Sequence, residues 1–290
     1  MKIVRIIGGL GNQMFQYALF LALKKRFPDE EMRVDASLMS SYRVHNGLEL
    51  ERVFQLSLPQ ASFRELMSLT RPMYNYRMAR IVDKFLPPRR TELIDISSDH
   101  LMDDIFSTGD CYYKGYWLDY RYSKDITDLL QETYDFKLPF NEATEGMLHI
   151  IRKCNNAVGI HVRRGDYLKA KNYAGLCGLD YYEAALKYFM TRFKDPTFFI
   201  FSDDIGWCME NIVPLLFGCD YHIIDFNKGI DSPLDMMLMS ECNHNIIANS
   251  SFSWWGAVLN KNPDKIVCAP RKWTNNESYC RFQLPQWILL

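Results

Sequence analysis

Residues 157–167 read AVGIHVRRGDY: a short apolar run that breaks into two adjacent arginines, a glycine and an acid. Length, branching and the hard polar stop make Ala157–Val162 a strand. Guanidiniums side by side repel unless an anion or a carboxylate lies between them. Their forks match phosphate oxygens in short, charge-assisted pairs. Gly165 permits a sharp turn, and Asp166 can orient one arginine. The stretch reads as a pyrophosphate grip at a strand end. On spacing alone, a surface turn with one Arg–Asp pair is equally open.

Downstream, short apolar runs alternate with amphipathic stretches. Strands are predicted at 197–201 (TFFIF), 221–224 (YHII), 245–248 (NIIA) and 265–269 (KIVCA). A helix over 179–193 places Leu179, Tyr182, Leu186, Phe189 and Phe193 on one face. Another begins at Ser232-Pro233, with a cap residue, a first-turn proline and Asp235 three residues on. This alternation predicts an α/β fold with a parallel sheet covered on both faces. Upstream, 3–7 is a strand, GGLGNQ a tight loop, 12–27 a helix, 32–36 a second strand and 111–117 another. The mixed region 61–104 predicts helices without clear bounds. Lys137-Leu138-Pro139-Phe140 marks a crossing, which gives domains 1–140 and 141–290, with a C-terminal tail from about 271. Two α/β halves place the site in the cleft between them, beyond the carboxyl ends of strands.

The residues after each strand carry the chemistry. His161 and the arginine pair follow the first strand of the second half. After TFFIF come Ser202, Asp203 and Asp204; one acid caps the next helix and the other is free to accept two bonds from the Watson–Crick edge of guanine. After NIIA come Asn249, Ser250, Ser251, Phe252 and Ser253, then an apolar helix. Hydroxyls, unpaired N–H groups and the positive dipole end meet there, an anion site; an ordinary cap needs only one serine. The loop GGLGNQMF fails the dinucleotide fingerprint, because Met14 stands where its third glycine belongs. Asp35 nevertheless mimics a ribose-binding acid. A nicotinamide-dependent dehydrogenase therefore competes, but it leaves the arginines and serines unexplained. No Asp-X-Asp triplet occurs, so the arginines and the helix dipole would supply the positive charge in a metal-free, cofactor-free mechanism.

The 290 residues are 48% hydrophobic and 24% charged, which excludes a disordered chain. The balance of 34 Lys+Arg against 35 Asp+Glu argues against a general nucleic-acid binder. No run approaches the length of a membrane span, and the start lacks a signal-peptide cleavage site. The eight cysteines form no CxxC pair and read as reduced, packed thiols. The expected location is the cytoplasm, with peripheral contact to the inner face of the membrane left open.

The stretches GGLGNQMFQYA (8–18), KGYWLDYRYSKD (114–125), GIHVRRGDY (159–167), FSDD (201–204) and NSSFSWWGAVL (249–259) resemble the α1,2-fucosyltransferases of glycosyltransferase family 11. They run in the family's order over nearly the whole chain. The resemblance implies a GT-B-like fold of two facing Rossmann-like domains. The C-terminal one would hold GDP-β-L-fucose and the N-terminal one would serve the acceptor, a galactose-terminated oligosaccharide or glycolipid. The implied reaction moves fucose to a galactoside 2-hydroxyl, with inversion and without metal.

By motif, Arg163 would hold the β-phosphate, with Arg164 and Asp166 bracing the loop or touching donor. His161 and Asp203 would lie near guanine, and Ser250, Ser251, Phe252 and Ser253 near the diphosphate. Asn12 and Gln13 would face the transferred sugar or the acceptor, and the region 37–110, with Tyr42, Arg43, His45, Tyr74 and Tyr76, would shape the acceptor cleft. Related fucosyltransferases sharing the HVRR core place an acid a few residues downstream; here 168–171 reads LKAK. Asp166 and Asp35 are the candidate bases, and a late transition state needing little base help is the other option. A fucosyltransferase of other linkage and a non-catalytic nucleotide-sugar binder remain as alternatives.

Overall fold

The computed structural model describes residues 1–42, 44–71, 73, 75–95, 105–275 and 282–290. The chain divides into two units, Met1–Lys137 and Leu138–Leu290.

The first unit is built on strands β1 (Lys2–Arg5), β2 (Met32–Asp35), β3 (Glu92–Ile94) and β4 (Cys111–Lys114), in the order β2-β1-β4-β3 and parallel throughout. Strand β1 ends sooner than its apolar run suggests, because the Ile7 N–H donates to Gln16 Oε1 and not to a neighbouring strand. Strand β4 stops at Lys114, where the chain turns through Gly115 and a left-handed Trp117 (φ 55°) held by its N–H to Asp95 Oδ2 at 2.8 Å. The helix Leu10–Arg26 starts inside the glycine loop, two residues before the expected position, and buries most of its length. Region 61–104 yields the helices Phe63–Leu69, with a Ser62–Glu65 capping box, and Tyr76–Phe85. It also yields β3, which was not expected: three residues are too few to show a period.

The second unit carries β5 (Ala157–Val162), β6 (Thr197–Ser202), β7 (Tyr221–Ile224), β8 (His244–Ile246), β9 (Val267–Ala269) and β10 (Ile288–Leu289). Their order is β10-β9-β8-β5-β6-β7, again all parallel. Counted from β5, this is the doubly wound order, and its direction reverses between β5 and β8. All six residues of β5 are buried, as both faces are covered. Val158, Ile160 and Val162 pack with Phe198, Ile200, Tyr182, Leu186 and Phe189. Each such fully buried large side chain contributes about 1.5–3 kcal/mol. Leu179 stays exposed at the start of its helix, Leu179–Arg192, so the apolar face begins at Tyr181. Ser232 sits at the cap position of helix Pro233–Glu241 without a side-chain cap bond.

Ile288–Leu289, at the end of the expected tail, form β10 of the sheet. Leu290 N donates to Ala269 O, Arg271 N donates to Leu290 O, and Ile288–Leu289 pairs with β9. Trp273 stacks on Phe282 at 4.6 Å, and the Trp254 indole donates to Phe282 O. The described cysteines are free thiols; Cys280 lies outside the described residues. Among the described residues no helix is long and apolar enough to cross a membrane.

Candidate functional site

The β5–β6 register sets Val162 beside Ser202, so the residues that follow emerge side by side. Arg163 Nη1 meets Asp203 Oδ2 at 3.0 Å, and Arg163 Nη2 meets Asp166 Oδ1 at 2.7 Å. Arg164 turns the other way. Its Nε donates to Asp204 Oδ2 at 3.2 Å and its guanidinium lies over the Trp207 ring at 4.1 Å. Repulsion between the two cations is thus relieved by separate acids. Asp204 also caps the helix Ile205–Asn211 by accepting the Trp207 N–H. Asp203 is not free. It accepts the Arg164 N–H at 2.9 Å as well as pairing with Arg163. A Cβ at Gly165 would come within 2.7 Å of Asp203 Oδ2, so a side chain there would displace that carboxylate.

On the other side of the reversal, β8 runs into the helix Ser251–Leu259. Ser250 Oγ accepts the Phe252 N–H at 3.3 Å as the cap. The three serines separate in role. Ser253 is fully buried and its hydroxyl donates back to Ala248 O and Ser250 O. Ser251 occupies the first helical position, half-buried. The Tyr167 ring lies 5.5 Å from the Arg163 guanidinium. Tyr173 stacks on Tyr167 at 4.9 Å. Neither Tyr167 nor Trp207 was singled out in the sequence; an aromatic directly after RRGD was the available signal.

His161 completes the group. It is 6% exposed, its ring lies 5.7 Å from Phe252, and its buried Nδ1 has no partner. Burial first, and then Arg163, push its pKa down to about 3 against the pull of Asp203, so the imidazole is neutral. A guanidinium, a capped helix start and a neutral imidazole with an unused nitrogen therefore converge at the carboxyl ends of β5 and β8. This arrangement can bind an anion and hydrogen-bond a polar group beside it.

In the first unit, Gly8 (φ 97°) makes a turn that only glycine adopts readily. A Cβ there would lie 3.0 Å from Asn12 Nδ2 and 3.3 Å from the Tyr116 ring. The His45 ring comes within 3.4 Å of the equivalent point on Gly9. Tyr42 lies 5.9 Å from His45 and 4.7 Å, edge-on, from Tyr76. Burial, Tyr116 and Tyr76 push its hydroxyl up to about 12. Arg43 and Tyr74 lie outside the described residues.

Two of the expected site residues have their polar groups engaged within the fold. Gln13 presents no polar group to a ligand: it is fully buried, its amide donates to Gly8 O and Gly47 O, both at 2.8 Å, and its carbonyl accepts the Glu49 N–H at 2.9 Å. Asp35 is engaged in the same way. It is 3% exposed, with one oxygen held by the Ser37 N–H and hydroxyl and the other by the Tyr112 hydroxyl at 2.6 Å. Gln16 makes the same kind of bracket as Gln13, between Ile7 N and Gly115 O.

Two parallel α/β units, the second with its candidate site at the point of reversal, give a GT-B-like α/β fold. Crystal structures of similar fold include the fucosyltransferase NodZ from Bradyrhizobium (15% identity, TM-score 0.52, covering 88% of this chain and 91% of that one). NodZ α-1,6-fucosyltransferase co-crystallized with GDP gives 17% identity and a TM-score of 0.53, covering 88% and 90%. The family model for glycosyl transferase family 11 matches residues 1–290. Similar curated proteins include the Escherichia coli O-antigen biosynthesis glycosyltransferase WbnK (31% identity, covering 98% of both chains) and an E. coli α-1,2-colitosyltransferase (31%, covering 97% and 94%). Galactoside α-(1,2)-fucosyltransferase 1 of Leontocebus fuscicollis is 26% identical, covering 97% of this chain and 72% of that one. The chain belongs to glycosyl transferase family 11.

Proposed function

We propose that this protein transfers L-fucose from GDP-β-L-fucose to the 2-hydroxyl of a terminal galactoside, with inversion at the sugar and no metal. The observation that supports this most is the Arg163 guanidinium at the end of β5, with the Ser251–Leu259 helix start after the neighbouring β8, where Phe252 lies 5.7 Å from the His161 ring. As the fucosyl–oxygen bond breaks, negative charge grows on the departing diphosphate and the sugar becomes oxocarbenium-like, by analogy with glycoside cleavage. A fixed guanidinium and helix N–H groups gain strength as that charge grows, so they lower the barrier and not only the dissociation constant.

On this reading, phosphate oxygens take up the guanidinium face that Asp203 and Asp166 hold in position. The neutral His161 offers its unpartnered Nδ1 to the base or ribose. The second serine and the helix N–H groups meet the diphosphate. Acceptor contacts come from Asn12, Tyr42 and His45. Asp166 is already engaged by Arg163, which favours a late transition state in which the acceptor hydroxyl gives up its proton to solvent only after the new fucosyl–oxygen bond is largely formed.

A second reading, a colitosyl donor, is favoured by the 31% identity to the α-1,2-colitosyltransferase. Colitose lacks the 3-hydroxyl of fucose, so the two differ in one polar contact. The test incubates the protein with GDP-fucose and GDP-colitose, each with a panel of galactosides, in the presence and absence of chelator. Product linkage is read by NMR. An α1,2-linked fucoside formed in chelator is expected. Product from GDP-colitose alone selects the second reading. Dependence on a divalent cation, or no product from either donor, overturns the proposal.

A further inference from the structure

Residues 76–90 read YRMARIVDKFLPPRR, and Tyr76–Phe85 is a helix. Within it, Ala79 alone is buried. Polar contacts fix its inward side. Asn75 Oδ1 accepts the Met78 N–H, Tyr76 N donates to Ser41 Oγ at 2.9 Å, and Arg71 donates to Val82 O and Leu86 O near the far end. Asp83 pairs with Arg71 and Lys114. The outward side contributes little to that anchoring. Met78, Ile81 and Phe85 are 40%, 58% and 71% exposed and recur at three- and four-residue steps, a single stripe continued by Leu86 at 51%.

One position earlier, Arg77, Arg80 and Lys84 repeat the same steps, all exposed, and Arg89 and Arg90 follow. Arg89 reaches back to Met67 O. Five cations against the single, already paired Asp83 form a local positive excess in a chain whose formal charge is −1. The pattern of an apolar stripe flanked by cations, three turns long and stopped by Pro87-Pro88, is that of a helix lying in a bilayer interface. Long basic side chains reach phosphate while their stems stay in the apolar boundary.

We infer that this helix docks on an anionic phospholipid surface, with the apolar stripe entering the headgroup boundary and the flanking cations meeting phosphates. The helix begins beside the glycine turn, since Tyr76 packs on Tyr42 and Tyr42 on His45. Docking therefore sets that turn next to the membrane. Its use, to meet an acceptor glycan carried on a lipid, rests on the function proposed above.

The experiment sediments the full chain with vesicles made of equal parts phosphatidylcholine and phosphatidylglycerol, or of phosphatidylcholine alone. Binding to the anionic vesicles, weakened by salt, is expected, with hydrogen-exchange protection over 76–90. Replacing Ile81→Ser and Phe85→Ser together should lower the partition about tenfold or more. Arg77→Ser with Arg80→Ser should lower it roughly 25-fold, at about fivefold per charge. GDP release with a soluble acceptor should be unchanged in both variants. No binding to anionic vesicles, as an acidic soluble protein partner would give, overturns the inference; so does binding that ignores Ile81 and Phe85. No sugar donor enters the vesicle assay, so failure of the transferase reading would show as absent turnover with vesicle binding intact.

Discussion

Arg163 and Asp203 meet at 3.0 Å because β5 and β6 are parallel neighbours in a register that ends with Val162 beside Ser202. The pair is partly exposed, with side chains at 32% and 26%, so its contribution to stability is small. Its consequence is orientation: the carboxylate fixes which way the guanidinium fork opens.

Arg163→Ala should therefore leave the melting temperature nearly unchanged and reduce GDP release from GDP-fucose about 100-fold or more, the usual cost of one transition-state donor. Arg163→Lys should recover little, because a point charge does not reproduce the fork. Steady-state GDP release beside a thermal melt decides it; near-normal turnover removes the role.

Gly165→Ala tests the orientation itself. The new methyl would press on Asp203 Oδ2, which can swing away at small cost to the fold. Turnover is expected to fall about tenfold, with a smaller change in GDP affinity. A variant with unaltered kcat would show that the Asp203 contact does not set the guanidinium geometry.

Gln13 is expected to act on stability alone. Gln13→Ala leaves buried partners on Gly8, Gly47 and Glu49 unsatisfied and should cost about 1–3 kcal/mol. Chemical denaturation measures this. A stable variant with a raised acceptor KM would instead return Gln13 to the acceptor side.

Asp235 supplies a pH signature. Burial raises its pKa from 3.8 to about 7; its bond from Asn227 Nδ2 opposes the shift and Asp225 adds to it. The unfolded carboxyl ionises near 3.8 while the folded one keeps its proton to about 7, so this group lowers stability as pH rises through that window. Asp235→Asn should be more stable than the parent by on the order of 2 kcal/mol at about pH 8, with no gain near pH 4. Denaturation midpoints across pH read this directly, and a pH-independent difference would contradict it.

The linear order of residues determined β5, β6 and β7 almost to the residue, because each is a short apolar run that ends abruptly at polar residues. It also marked where charge gathers, since arginines and serines directly after strands stand out against apolar neighbours. Tertiary structure decided which of those groups are available. The register gave Asp203 to Arg163, folding buried Gln13 and Asp35 among their own partners, and the return of Ile288–Leu289 made a tail into a sheet edge. Local pattern reports burial and turn chemistry, which act over a few residues. Hydrogen-bond partners come from segments that meet only when the sheet forms, and no spacing along the chain encodes them.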